Sequence, residues 1–240
     1  MILAVDAGNT RIKWGLHDGN AWLSQGGLAS KDVAGLAEAW QGLPAPDRIV
    51  ASNVAGSQVA MQIEEACKGW PASFQWVVAV DKQCDVSNGY DIPSQLGSDR
   101  WAALIAARAI APEGCVVVNA GTAMTVDALT ADGFFMGGVI VPGLALMLRA
   151  LAENTAAIEE IGGHYRDIPK NTPDAVYSGA LSAMVGAVWH MNALLAGEIK
   201  RAPTCLLSGG DAQLLLPLLS GKTRMVDNLV LEGLIRIAIG

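Results

Sequence analysis

The sequence predicts an α/β protein made of two similar halves facing each other across a cleft, and three observations lead there. A chain of 240 residues with 52% hydrophobic side chains is long enough for a sizeable core. Short apolar runs that read as buried strands alternate along it with helical patterns. Most telling, the first strand ends in "AVDAGNT", and 113 residues later, with Asp6 laid over Asn119, another strand ends in "VVNAGTA". Each is followed by a second strand, and such a repeat at half the chain length points to a duplicated unit. Pro112-Glu113-Gly114 marks the boundary, so the expected halves are residues 1–112 and 113–240.

The elements follow in order. Residues 1–5 read as a buried strand and 11–16 as a second one after the Gly8-Asn9 turn. Alternation puts Ile12, Trp14 and Leu16 on one face of that second strand, with Arg11, Lys13 and Gly15 on the other. Residues 31–40 carry a helical pattern, 48–52 a short strand, 58–68 a helix and 74–80 a strand. After the turn-rich loop "DVSNGYDIPSQLGSDR", an alanine-rich helix spans 99–110 and is closed by Pro112. The second half restarts with strands at 115–118, 123–129 and 133–140, the last two joined by "TADG" as a hairpin turn. Helices are expected at 144–153 and 174–195, a late strand at 204–207 ending in Ser208-Gly209-Gly210, and a helix at 212–219.

Composition narrows the function. Charged residues make up 16% of the chain, against about 25% in average soluble proteins, so each acid or base at a strand end is informative. A net charge of −7 and a pI near 4.9 argue against a nucleic-acid partner, which needs a basic face. Cys67, Cys84, Cys115 and Cys205 form no CxxC pair, and His17, His164 and His190 have no ligand spacing, so no resident metal site is expected. The N-terminus lacks a basic signal-peptide region. The apolar stretch 134–148 is broken by Gly137, Gly138, Pro142 and Gly143, and it falls short of the ~20 residues that cross a bilayer. A cytoplasmic protein without a membrane partner is expected.

The strand end "DAGNTRIK" suits a phosphate. Glycine lets the backbone approach phosphate oxygens, and a turn can aim several N–H groups inward. Asn9 and Thr10 add side-chain donors, Lys13 and Arg11 add positive charge, and Asp6 can hold Mg²⁺ directly or through water. Taken alone, the same stretch also fits an ordinary hairpin with an acid capping its turn. In "GSDRW", Ser98 is expected to cap the helix, which puts Asp99 in its first turn, where the helix's positive end favours the carboxylate. Such an acid can accept a proton from a substrate hydroxyl, and Arg100 can pair with a carboxylate or phosphate. Both residues also fit a plain helix start with a surface partner. Tyr90 lines either a pocket or only its loop. "NTPDAVYSG" reads as a helix cap and "LLSGGDA" as a strand, a double glycine and a helix start. "SGKTR" at 220–224 is not a P-loop, because Leu216 stands where glycine is required and "RMVDN" follows instead of a helix. No GxGxxG follows a strand, so a dinucleotide fold has no anchor.

Together "DAGNTRIKW", "GYDIPSQLGSDR", "NAGTAMTVD", "GGVIVPGLALMLRAL", Asn171-Thr172 and the late "SGG" resemble the type III pantothenate kinases across essentially the whole chain. The resemblance implies duplicated ribonuclease-H-like halves of the actin-like ATPase superfamily, with a nucleotide cleft between them. It implies ATP-dependent phosphorylation of the pantothenate 4′-hydroxyl, the first step of coenzyme A biosynthesis. By that likeness Asp6, Ala7, Gly8, Asn9, Thr10, Arg11, Ile12 and Lys13 form the first phosphate loop, and Thr122 meets ATP from the second. Asp99 is then the proton acceptor, with Gly97, Ser98, Arg100, Tyr90 and Thr172 around pantothenate. The family implies a homodimer, Mg²⁺ with ATP, and a monovalent cation, K⁺ or NH₄⁺.

Two positions depart from the family's pattern. Asn119 stands where the family usually has an aspartate associated with the monovalent cation, which lowers the electrostatic attraction for K⁺. Ser98 replaces the alanine of the usual "GADR". A kinase of the same superfold acting on a sugar or acetate, a non-catalytic ATP-binding accessory factor, and a degenerate kinase that binds ATP without turnover are the competing readings.

Overall fold

The computed structural model describes residues 1–155 and 162–240. The polypeptide forms two compact units, Met1–Ile110 with Asn228–Gly240, and Ala111–Asp227. The first break falls two residues before the expected boundary. The last 13 residues, expected in the second half, pack in the first unit instead.

In the first unit, β1 (Ile2–Ala7), β2 (Arg11–His17), β3 (Trp22–Ala29), β4 (Arg48–Asn53) and β5 (Ser73–Trp76) form a sheet in the order β3-β2-β1-β4-β5. The β1–β2 and β2–β3 pairs are antiparallel, and the β1–β4 and β4–β5 pairs are parallel. Alternation sends Leu3, Val5 and Ala7 of β1, and Ile49 and Ala51 of β4, into one core with Val33, Leu36, Trp40 and Ile63. A 3₁₀ segment (Ser30–Gly35) running into α1 (Leu36–Ala39), together with α2 (Ser57–Cys67), supplies that layer. A hairpin of β6 (Lys82–Gln83) and β7 (Val86–Asn88) precedes α3 (Ser98–Ile110).

The second unit contains β8 (Cys115–Ala120), β9 (Ala123–Leu129), β10 (Phe134–Pro142), α4 (Leu144–Asn154), α5 (Thr172–Ile199), β11 (Thr204–Ser208), α6 (Ala212–Leu215) and β12 (Thr223–Met225). Its strands run β10-β9-β8-β11-β12, with the same parallel and antiparallel senses as the first sheet. The repeat in sequence is therefore a repeat in topology, and the fold is a duplicated α/β unit. The register agrees as well: Asp6 on β1 lies opposite Ser52 on β4, and Asn119 on β8 lies opposite Ser208 on β11. Helix α5 is long and apolar enough to cross a membrane, but Leu181, Met184, Val185, Val188, Met191 and Leu195 form its buried stripe in this unit's core.

The chain then returns to the first unit as α7 (Leu229–Ile239), which packs on α3, β1 and β4. At Gly233 a β-carbon would sit 1.8 Å from the Ala102 carbonyl oxygen, so the two helices touch backbone to backbone.

Several elements differ from the sequence reading. The helix expected at 31–40 is mostly 3₁₀, the strand expected at 74–80 stops at Trp76, and the helix expected at 212–219 tightens to 3₁₀ at Leu216–Leu218, where Pro217 removes an N–H. Strand β3, the β6–β7 hairpin and α7 had no sequence expectation. Burial pushes the Cys67 thiol up to about 12 and Cys205 to about 11, so both are inert packing groups. Lys222 of the false P-loop is tied to Glu113 at 3.1 Å.

Candidate active site

The site grows from the end of β1. Ala7 pairs with Ile12 across the β1–β2 ladder, and both are fully buried, so only their main-chain groups remain available to a ligand. Between them the turn closes with Gly8 N–H donating to the Arg11 carbonyl at 3.1 Å. Ser30 anchors the same turn, its hydroxyl donating to Gly8 O at 2.6 Å and its N–H to Thr10 O at 2.9 Å. Asn9, Thr10 and Arg11 are left exposed at the tip, while Lys13 sits half-buried opposite Asp6. Held in this way, the turn is a rigid presenter of polar groups.

Asp6 lies on the face of β1 opposite Val5 and Ala7, the face it shares with Ser52. Its Oδ1 is buried and has no hydrogen-bond partner. Burial, reinforced by the negative charge of Asp99 and opposed by Lys13, pushes the Asp6 carboxyl up to about 7. A sealed, unpartnered carboxylate oxygen is costly unless something else uses it.

The beginning of α3 meets this face. The helix opens one residue earlier than expected, because Gly97 O accepts the Trp101 N–H at 2.9 Å. Ser98 is thus the first helical residue and not the cap, and its hydroxyl pairs with the Ser52 hydroxyl at 2.9 Å. Asp99 Oδ1 accepts the Arg100 N–H at 2.8 Å and lies so close over Gly97 that a β-carbon there would be 2.6 Å from it. The helix end and these N–H groups favour the anion, as expected, but burial outweighs them and the Asp99 carboxyl is raised. Asp6 and Asp99 are therefore two carboxyls raised by burial, with the charge of Asp99 adding to the shift of Asp6, an arrangement typical of acid–base sites.

Next to them, Arg100 donates to the Tyr90 hydroxyl at 2.9 Å, with its guanidinium 5.6 Å from the centre of the Tyr90 ring. Asn88 holds that loop, its Oδ1 accepting Tyr90 N–H at 3.1 Å and its Nδ2 donating to Pro93 O at 3.2 Å. The first unit thus brings together Asp6, Lys13, Gly97, Ser98, Asp99, Arg100 and Tyr90, and adds Ser52, which the sequence reading passed over. The signal for Ser52 was a polar residue directly after the apolar run "IVA".

Thr122 and Thr172 belong to the second unit. Thr122 is exposed in the β8–β9 turn, where its carbonyl accepts the Gly143 N–H at 2.9 Å, and Asp211 N–H donates to Ala120 O at 3.0 Å. Gly143 and Gly209 press on this turn, since a β-carbon would sit 2.0 Å from Gly121 O and 2.2 Å from Ala120 O respectively. Gly209 also needs its φ of +104°. Thr172 opens α5 behind Asn171, whose Oδ1 accepts the Asp174 N–H at 2.9 Å.

Among the described residues no group of three His, Cys, Asp or Glu side chains is arranged to hold a metal by itself. One sealed carboxylate oxygen fits a hard cation that brings its own phosphate and water ligands, which is how Mg²⁺ is commonly held.

The sequence profile of the type III pantothenate kinases matches residues 2–193. A type III pantothenate kinase of Nitrosospira multiformis is 52% identical over 238 residues, covering 99% of this chain and 91% of that protein. Its counterpart in Aromatoleum aromaticum is 48% identical, covering 99% and 98%. Among solved structures, a Sinorhizobium meliloti protein named as a candidate 2-dehydro-3-deoxygalactonokinase superposes with a TM-score of 0.65 at 15% identity, covering 99% of this chain and 98% of that one. A Campylobacter jejuni protein named as a candidate Baf family transcriptional activator gives 0.62 at 21%, covering 99% and 97%. These two share the fold of this chain, and the relatives by sequence go further: the chain belongs to the type III pantothenate kinase family.

Proposed function

We propose that this chain transfers the γ-phosphoryl group of ATP to the 4′-hydroxyl of pantothenate, the first step of coenzyme A biosynthesis. Family membership supports the reaction, and the raised carboxyls Asp6 and Asp99 are the observation that carries its chemistry. The turn from Gly8 to Lys13 presents N–H groups and the Lys13 ammonium to the phosphates. Asp6, through its unpartnered Oδ1, holds the Mg²⁺ that arrives with ATP. That ion, when bound, neutralises charge on the transferring phosphate. Asp99 accepts the proton of the 4′-hydroxyl as its oxygen bonds to phosphorus and ADP leaves. A carboxyl raised by burial is a stronger base than an exposed one, which suits this step.

Arg100 binds the pantothenate carboxylate with Tyr90, and Gly97 and Ser98 line the same pocket. Thr122 contacts ATP and Thr172 contacts pantothenate. The enzyme works in the cytoplasm as a homodimer. An apolar groove of about 770 Å³ between α4 and α5, lined by Leu146, Met147, Leu151 and Val176 among others, supports an interface there.

A monovalent cation, K⁺ or NH₄⁺, completes the reading. Asn119 keeps an oxygen ligand but no charge, so the cation binds weakly and Asn119→Asp tightens it. The test is ATP-dependent phosphorylation of pantothenate by the purified protein with Mg²⁺, in Na⁺ and then in K⁺ or NH₄⁺. Turnover that is lost in Asp99→Asn supports the proposal. ATP binding without turnover under every cation moves the assignment to another acceptor or to a binding protein. A tight, saturable K⁺ dependence in the parent overturns the reading of Asn119.

A further inference from the structure

Ser52 is a hydroxyl in a place where hydroxyls are costly. It is 0% exposed at the C-terminal end of β4, on the face it shares with Asp6 and opposite Asp6 in the parallel register. Its partner is the Ser98 hydroxyl at 2.9 Å. Ser98, itself 9% exposed, also accepts the Asn53 N–H at 3.3 Å. Two contacts from the end of β4 thus meet the first residue of α3, and the next residue is Asp99. Neighbouring groups stiffen the platform. Val54 N–H donates to Ala7 O at 3.0 Å, while Asn53 closes its own turn on Ala55 N–H at 2.9 Å and Gly56 O at 3.0 Å.

The alternative partner is as informative as the actual one. Asp6 Oδ1, on the neighbouring strand, is buried and accepts from nobody, while Ser52 is engaged by Ser98. Satisfying the Ser52 hydroxyl through α3 ties the helix start to the sheet and leaves the Asp6 oxygen open.

We infer that Ser52 is a positioning residue of the phosphoryl-transfer site, acting through Ser98 to fix where α3 begins and hence where the Asp99 carboxylate stands. The inference rests on the proposed kinase reading for its catalytic consequence, and on the apoprotein alone for its geometric one. Without Ser52, Ser98 keeps only the long contact to Asn53 and the first turn of α3 can shift. Without Ser98, Ser52 is a buried hydroxyl lacking its partner. Removing both leaves neither hydroxyl unpaired, so the pair behaves as a unit.

The experiment uses the full-length chain as Ser52→Ala, Ser98→Ala and the double variant, each checked for folding by circular dichroism. Amide NMR of the apoprotein reads the Arg100 N–H, which bonds the Asp99 carboxylate directly. Its resonance is expected to move in Ser52→Ala and to return toward the parent position in the double variant. With pantothenate and Mg-ATP, Ser52→Ala is expected to lose roughly tenfold in kcat with both KM values within about twofold, because a small displacement of the base costs rate before binding. The double variant should be less impaired than the product of the single effects. An unmoved Arg100 resonance in Ser52→Ala overturns the inference whether or not the enzyme turns over. Parent-like kcat in that variant overturns it too, and so does a loss confined to KM. Absence of turnover in the parent counts against the kinase reading alone, and the NMR result still decides the role of Ser52. If Ser52→Ala does not fold, Ser52→Cys, close to it in shape and a weaker donor, is read in the same way.

Discussion

Replacing Gly97 by alanine is the smallest perturbation that reaches Asp99 without altering it. Gly97 is not among the residues with positive φ, so alanine fits its backbone. The carbonyl that accepts Trp101 N–H is also retained. The new methyl, however, would lie 2.6 Å from Asp99 Oδ1 and 3.7 Å from Val54 Cγ1. Only the carboxylate can yield. With ordinary contacts near 3.5 Å, Oδ1 must retreat by about 0.9 Å, which stretches its bond to Arg100 N–H. Displacements of about 1 Å at a reacting group cost on the order of 100-fold in rate. Stability moves the other way, since Gly→Ala at a compatible position gains about 0.4–1 kcal/mol by restricting the unfolded chain. Gly97→Ala should therefore melt at or above the parent Tm while kcat for pantothenate phosphorylation falls by roughly 30–100-fold. A coupled assay of ADP release and a thermal melt on the same preparation give both numbers. Parent kcat in a folded Gly97→Ala would refute the role given to the Asp99 position. A fall in Tm together with kcat would show that the methyl disturbs the helix start, not the carboxylate.

Asp6 gives a pH prediction with a definite sign. Its carboxyl rises from 3.8 to about 7 on folding. The folded state therefore holds the extra proton between those values, and stability is lost as pH rises through 7. In urea unfolding without Mg²⁺ or ATP, Asp6→Asn should be more stable than the parent at pH 8 by up to about 4 kcal/mol. The gap should close by pH 4, and a pH-independent gap would contradict the assignment. In the α3–α7 contact, Gly233→Ala puts a methyl 1.8 Å from Ala102 O, so it should destabilise by about 3 kcal/mol in the same unfolding assay. Gly69→Ala, with nothing within 4 Å, should be near neutral, and equal effects at the two sites would refute the packing argument. Asp99→Asn should lose about 10²–10⁴-fold in kcat while ATP binding, measured by calorimetry, stays within a few-fold.

What was legible in the sequence was whatever local pattern alone determines. Strands β1, β2, β8 and β9 are apolar runs bounded by turn formers, and α3 is an alanine-rich helix closed by Pro112, so each was readable. Strand β3 was not, because "WLSQGGLA" carries two glycines that local propensity counts against a strand. The compensation is non-local. The Trp14 ring of β2 covers Gly26 and the Trp22 ring of β3 covers Gly15, each 2.5 Å from where a β-carbon would stand. Helix α7 is apolar on nearly every side because it is buried among α3, β1 and β4, and that setting depends on a chain reversal no local window contains. Asp6 and Asp99 stood out as acids in a chain poor in charge. Ser52 did not, since its meaning comes from the register with β1 and from a partner 46 residues away.

The duplication explains why the two units do not share the chemistry equally. Both place a polar residue at the end of the central strand opposite a serine on the next parallel strand, Asp6 with Ser52 and Asn119 with Ser208. The turns that follow differ by one residue: Ala7 pairs with Ile12 across the first, and Ala120 with Met124 across the second. Beyond the scaffold the units diverge. In the first, Ser52 is answered by the start of α3, which carries a second acid, and the central strand keeps its carboxylate. In the second, Ser208 leads into Gly209, whose backbone packs on the Ala120 turn, and the central residue is an uncharged amide. On the proposed reading, two carboxyls raised by burial, with the charge of Asp99 adding to the shift of Asp6, move a proton and hold a cation. A turn clamped by Gly143 and Gly209 against its neighbour's carbonyls supplies no such acid, but it presents close, uncharged backbone of the kind a nucleotide can approach. On that reading the strand end of the first unit is the reacting side and that of the second a binding side. What separates them in this chain is the carboxylate at Asp6 against the amide at Asn119, together with the start of α3 beside Asp6.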